Sequence, residues 1–96
     1  MQVKTIAVVG AGQLGSGIAQ VGLTSGFNVI LRDISDDLVN RGVATIRDNL
    51  QRRVEQGRMT AQERDQALAR LTATTDLRQV QKAQVVVEAV FERFEI

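Results

Sequence analysis

Three glycines, Gly10, Gly12 and Gly15, stand between an apolar run, Lys4 to Val9, and a stretch with helical spacing. That arrangement restricts the fold more than any other feature of the chain. The run Lys-Thr-Ile-Ala-Val-Val shows almost no alternation, the pattern of a short strand in a parallel sheet with helices on both faces. Such a strand must end in a tight turn. Gly10 permits the turn, Gly12 withholds a side chain where backbone has to approach something else, and Gly15 lets the next helix lie close to the strand. That helix shows Leu14, Ile18, Val21 and Ser25 at helical spacing, and Gly26 is placed to stop it. Gly17 and Gly22 within it are explained by close packing on the sheet, because a glycine in a helix interior costs about 1 kcal/mol relative to alanine.

A second strand, Phe27 to Leu31, leads into Arg32 and Asp33. Asp33 follows Gly12 by 21 residues, near the interval of about 20 at which a dinucleotide-binding unit places the acid that hydrogen-bonds the adenosine ribose. Free N–H groups at the start of the first helix and its positive dipole end suit a pyrophosphate without any lysine. No Gly-Lys-Ser/Thr follows the glycines, which argues against a P-loop. A carboxylate at Asp33 accepts from a ribose 2′-hydroxyl and repels a 2′-phosphate, so the expected cofactor is NAD rather than NADP. Arg32 is the complication, but neighbouring side chains in a strand point to opposite faces. The alternative for Asp33 is an acid at a helix N-terminus with no ligand.

Composition sets outer limits. The chain has 96 residues, room for at most one domain. Twelve basic and eleven acidic side chains leave a net charge of +1 without a basic block, which argues against nucleic acid as a partner. Cysteine is absent, so disulfides and thiolate metal sites are excluded and a reducing cytoplasm is the expected location. Met1-Gln2-Val3-Lys4 enters the first strand directly, and no apolar run approaches the ~20 residues of a membrane span. Histidine is absent as well, which removes every reading that needs a histidine base, a histidine ligand or a Ser-His pair within these residues. Lys4 and Lys82 are the only lysines.

Beyond Asp33, Ser35 is placed to cap a long helix with Asp36 and Asp37 in its first turn. Val39, Val43, Ile46, Leu50 and Val54 form one apolar stripe, and Gly57 ends it. Thr60-Ala61-Gln62-Glu63 is a capping-box pattern that starts another helix, carrying Ala67, Leu68 and Leu71. A helical hairpin therefore precedes the third strand, predicted at Ala73 to Thr75 and polar enough for a sheet edge. Asp76 to Lys82 reads as a brief helix or turn, and Val85 to Val90 as the fourth strand. The fold class is α/β, a partial Rossmann-type doubly wound parallel sheet of order 3-2-1-4. In that order the crevice beyond strands 1 and 4 is the topological switch point, so the loop beginning at Ala89 is expected to meet the cofactor.

The segment Gly-Ala-Gly-Gln-Leu-Gly-Ser-Gly-Ile-Ala-Gln from Gly10 to Gln20, the Arg-Asp-Ile-Ser at Arg32 to Ser35, the hairpin, and Val86-Val87-Glu88-Ala89-Val90-Phe91-Glu92 together resemble the N-terminal, NAD-binding part of the 3-hydroxyacyl-CoA dehydrogenase family, 3-hydroxybutyryl-CoA dehydrogenases included. The glycines alone do not separate that family from 3-hydroxyisobutyrate or 6-phosphogluconate dehydrogenase relatives; the hairpin with the Glu-Ala-Val-Phe-Glu segment does. The resemblance implies that Gly10, Gly12, Gln13, Leu14 and Gly15 form the pyrophosphate loop, that Asp33 is the ribose acid, and that Ala89 and Glu92 belong to the cofactor-contacting loop after strand 4. Glu88 also fits the motif and is read as a structural carboxylate buried by the sheet.

The same resemblance implies a catalytic histidine oriented by a glutamate, both further along a chain about three times as long, and a helical domain that completes the acyl-CoA site and dimerises. Neither lies in these residues, so residues 1–96 are expected to be a truncated NAD-binding domain that binds NAD without turnover. An uncovered strand 4 is expected to leave apolar surface and a strand edge exposed and to favour homo-oligomers. Asn49, Arg53 and Gln56 fall along one polar flank of the first hairpin helix, where an arginine can meet a CoA phosphate. The family places CoA contacts on this helix, but these residue types do not clearly match them, and a solvated helix face is the competing reading. Two alternatives stand beside this one: the NAD-binding module of a gulonate- or carnitine-type dehydrogenase, and a non-catalytic nucleotide-binding or self-associating module.

Overall fold

A computed structural model describes residues 2–89. Strand β1 (Thr5–Val9) is followed by helix α1 (Gln13–Thr24), β2 (Asn28–Arg32), α2 (Asp36–Glu55), α3 (Ala61–Ala69), β3 (Leu71–Thr74), a 3₁₀ helix (Leu77–Lys82) and β4 (Val85–Glu88). All pairings are parallel and the order is β3-β2-β1-β4. This is the doubly wound arrangement the sequence predicts, with the hairpin α2–α3 set between β2 and β3. The central strand pairs on both sides, with Ala7 level with Ile30 of β2 and Val86 of β4.

The larger core cluster joins Val8, Val29 and Leu31 of the sheet to Ala19 and Leu23 of α1, Ile46 and Leu50 of α2, and Ala67 of α3. A smaller cluster holds Ala7, Ile30 and Val80, the last from the 3₁₀ helix. Each sheet face is thus covered by a different crossover, and this explains why the runs Ile6 to Val9 of β1 and Val29 to Leu31 of β2 are apolar without alternation.

Local signals set most of the element ends. Ser35 caps α2 by accepting from Leu38 N–H, with Asp36 and Asp37 in the first turn. Thr60 and Glu63 form the reciprocal capping box of α3. Gly26 and Gly57, which follow α1 and α2, take the positive φ values of 94° and 72° that side chains disfavour.

Several expectations need correction. The buried side of α1 is Gly15, Ser16, Ala19, Gly22 and Leu23, whereas Leu14 and Val21 of the predicted stripe are 58% and 65% exposed. Small residues seat this helix on the sheet: a Cβ on Gly22 would lie 3.0 Å from Val29 Cγ2. Gly17 has no such role, because a Cβ there would meet nothing within 4 Å. Strand β3 begins at Leu71, two residues before the predicted start, since α3 ends at Ala69 and Arg70 caps it. Glu88 is exposed rather than buried, because among the described residues β4 has β1 as its only strand neighbour.

Candidate functional site

Backbone geometry builds the site before any side chain enters it. Gly10 follows β1 with φ 115°, a conformation open to glycine, and its N–H donates to Arg32 O of β2 at 2.8 Å. The chain then turns through Ala11 and Gly12 into α1. Gly12 is the helix N-cap and offers no side-chain hydrogen bond, so the first N–H groups of α1, starting at Gln13, are left without intrahelical acceptors. A Cβ on Gly12 would meet nothing within 4 Å, so its missing side chain leaves open space in front of those donors. Gly15 serves the opposite purpose. A Cβ there would overlap the Gly10 carbonyl, so only glycine lets α1 start this close to the end of β1.

Asp33 stands immediately after β2 and faces the glycine turn. Its Oδ2 accepts from Ala11 N–H at 2.8 Å and its Oδ1 from Ile34 N–H at 2.7 Å. An ionised carboxylate has about four lone-pair positions, so two remain for other donors. The neighbouring Arg32 diverges: its Nε donates to Thr75 O at 3.1 Å, on the β3 side of the sheet. The charged side chain that reaches the cleft is the acid.

Gly10, Gly12, Gln13, Leu14, Asp33 and Ala89 line a cleft of about 640 Å³ beyond the C-terminal ends of β1, β2 and β4. Ala89 is buried against the turn and donates its N–H to Val9 O at 2.8 Å. Gly15 stands behind the cleft as packing. Glu92 lies outside the described residues. Leu38, from the first turns of α2, also lines the cleft; the sequence reading missed it because it sits one position before the buried stripe that begins at Val39. Its signal was an apolar residue on an otherwise polar flank.

Asn49 and Arg53 are not among the residues lining this cleft. Asn49 Nδ2 donates to Gln20 Oε1 of α1 at 3.0 Å, and Arg52 reaches Asn49 Oδ1 at 3.4 Å. Arg53 is half-buried with an Nε that finds no partner among the described residues. A second cleft, about 480 Å³ and almost wholly apolar, runs between α1 and β4 and is lined by residues including Leu14, Ile18, Val21 and Val85.

Helix donors without intrahelical acceptors, a side-chain-free approach at Gly12 and a carboxylate with spare acceptor positions fit an adenine dinucleotide joined by a pyrophosphate. The family model described as 3-hydroxyacyl-CoA dehydrogenase, NAD binding domain, matches residues 5–96. The chain belongs to that family. The cofactor of this NAD-binding domain is accordingly NAD.

Relatives and solved structures agree with the assignment. The domain is 43% identical over 90 residues to a 3-hydroxybutyryl-CoA dehydrogenase of Mycobacterium tuberculosis, covering 94% of this chain and 32% of that protein. It is 38% identical over 96 residues to a 3-hydroxyadipyl-CoA dehydrogenase of Escherichia coli, covering all of this chain and 20% of that protein. The crystal structure of (S)-3-hydroxybutyryl-CoA dehydrogenase from Ralstonia eutropha superposes with a TM-score of 0.93 at 36% identity, over 97% of this chain and 33% of that one. The domain thus spans a fifth to a third of the length of these relatives.

Proposed function

We propose that this domain holds the cofactor for the NAD-dependent interconversion of 3-hydroxyacyl-CoA and 3-oxoacyl-CoA. The observation that carries the reading is the convergence of Gly10, Gly12, Gln13, Leu14, Asp33 and Ala89 on one cleft at the sheet's switch point. In that reading the N–H groups at the start of α1 hold the pyrophosphate, Asp33 accepts from the ribose hydroxyls, and Leu38 gives the adenosine end an apolar wall. Glu92, which follows β4 in the sequence, is a further proposed cofactor contact. The bound nicotinamide supplies a hydride acceptor for the substrate's C3–H bond.

The hydroxyl proton needs a base close to that bond. The chain has no histidine, and Asp33, the one acid lining the cleft among the described residues, is committed to two backbone donors and belongs to the ribose end. We therefore infer that residues 1–96 act as an NAD-binding domain that binds without turnover, the acyl-CoA site being completed by a region corresponding to the remaining length of the relatives. Asn49 and Arg53 are proposed CoA contacts on α2. Homo-oligomeric assembly is a further proposal, supported by Val86 of β4, which is 48% exposed among the described residues. No helix among the described residues is long and apolar enough to cross a membrane; a cysteine-free sequence suits the cytoplasmic setting proposed here, and likeness to fatty acid beta-oxidation multifunctional proteins supports a place in fatty-acid metabolism.

A graft tests this. Residues 5–96 would replace the corresponding segment of the Mycobacterium tuberculosis relative, and the chimera would be assayed for NADH oxidation with acetoacetyl-CoA. Turnover is expected. A folded chimera that binds NADH but leaves acetoacetyl-CoA unreduced would overturn the assignment to hydroxyacyl-CoA chemistry.

A further inference from the structure

Gly42 lies in the middle of α2, outside the cleft, and no motif singles it out. It is nonetheless buried, and its surroundings are unusual for a helical glycine. A Cβ there would stand 2.8 Å from Ala11 O, 2.9 Å from Ala11 Cβ and 3.1 Å from Leu31 Cδ2. The Leu31 contact is the end of a flexible side chain and can yield. The Ala11 carbonyl is backbone between Gly10 and Gly12, both of which line the cofactor cleft.

Ala11 has little freedom to yield. Its N–H is held by Asp33 Oδ2 at 2.8 Å, its carbonyl accepts from Ser16 Oγ at 3.0 Å, and it is only 4% exposed. Three elements therefore converge on one residue of the turn: β2 through Asp33, α1 through Ser16 and α2 through the bare backbone at Gly42. Any side chain at position 42 has to push Ala11, and with it the neighbouring glycines, off the α2 surface.

We propose that Gly42 is a positioning residue for the cofactor, the close seat of α2 against Ala11 fixing where the turn presents its N–H groups to the pyrophosphate. The inference rests on the reading of the cleft as the NAD site. A helical glycine with no such role gains from replacement by alanine, so the substitution separates the two explanations.

The test compares wild type, Gly42→Ala, Ala11→Gly/Gly42→Ala and, as a control, Gly17→Ala, whose new Cβ meets nothing within 4 Å. Binding of NADH, ADP and adenosine is measured on chains shown to be folded. ADP engages the turn through its phosphates; adenosine engages the Asp33 side and leaves the turn untouched. Gly42→Ala is expected to weaken NADH and ADP about tenfold, the equivalent of one lost hydrogen bond to a charged group, with adenosine unchanged. The double variant, which lacks the Ala11 Cβ contact, is expected to recover part of the loss. It also keeps the question open to measurement if the single variant does not fold. Unchanged NADH and ADP binding in Gly42→Ala, or an equal loss for adenosine, would overturn the proposal. A wild-type chain that does not bind NADH would overturn it together with the reading beneath it, a result distinct from either of those.

Discussion

Asp33→Ala is expected to destabilise the protein even when no cofactor is present. The carboxylate accepts two backbone N–H groups, from Ala11 at 2.8 Å and Ile34 at 2.7 Å. The two losses are unequal. The bond to Ile34 is exposed, so water replaces the lost acceptor there at little cost. Ala11 is buried, and stranding a buried donor costs about 1–3 kcal/mol. Taking the lower part of that range because the Ala11 bond is only part-buried, the loss is about 1–2 kcal/mol. For a domain of this size that lowers the melting temperature by roughly 4–16 °C. Asp33→Asn keeps one acceptor oxygen and is expected to fall between the two. The assay is thermal and urea unfolding of the cofactor-free chains, followed by circular dichroism. If Asp33→Ala unfolds at the wild-type midpoint, the carboxylate does not hold the glycine turn, and the structural half of its role is refuted whatever happens to cofactor binding.

Other expectations follow from the same geometry. Gly15→Ala drives a methyl group into the Gly10 carbonyl, so NADH titration should show binding lost even where circular dichroism shows the helices retained. Gly17→Ala, with open space around the new methyl group, should raise stability by up to about 1 kcal/mol in urea unfolding. Hydrogen bonding hold Glu63 below the ordinary glutamate range, first through the Thr60 backbone N–H and then through its side chain. A depressed folded value means that this contribution is present above the unfolded value and is lost as pH falls through the folded one. Glu63→Gln should therefore lose less stability than wild type as pH falls below the ordinary glutamate value of 4.5, as read by unfolding at each pH.

Much of this was legible because short polar signals act locally. Ser35, Thr60 with Glu63, Gly26 and Gly57 each satisfy or end a helix through their own backbone geometry, without reference to the rest of the fold. The strand order followed from apolar β1 and β2 flanking a glycine turn, which admits few topologies. What the sequence concealed was packing by residues with little side chain. Helix α1 meets the sheet through Gly15, Ala19 and Gly22, so a search for large apolar residues selected the Leu14 and Val21 side, which faces the open apolar cleft instead. Gly42 escaped for the same reason, since a close approach between backbones leaves no hydrophobic signal. At β3 the apolar spacing of Ala67, Leu68 and Leu71 continued across a helix end that no glycine marks, and the strand start was misplaced by two residues. Of the site itself, the spacing from Gly12 to Asp33 located the acid, but its bond to Ala11 required the fold.

If Asp33 and the N–H donors at the start of α1 make an NAD site, the chain distinguishes NADH from NADPH, and fluorescence titration with the two cofactors shows whether it does. NADH emission is readable without interference because the chain has no tryptophan. Saturable NADH binding is predicted, at least about tenfold tighter than for NADPH, with the preference falling in Asp33→Ala as the repulsion of the 2′-phosphate is removed. Equal affinity for the two cofactors, or no binding of NADH by a folded chain, would contradict it.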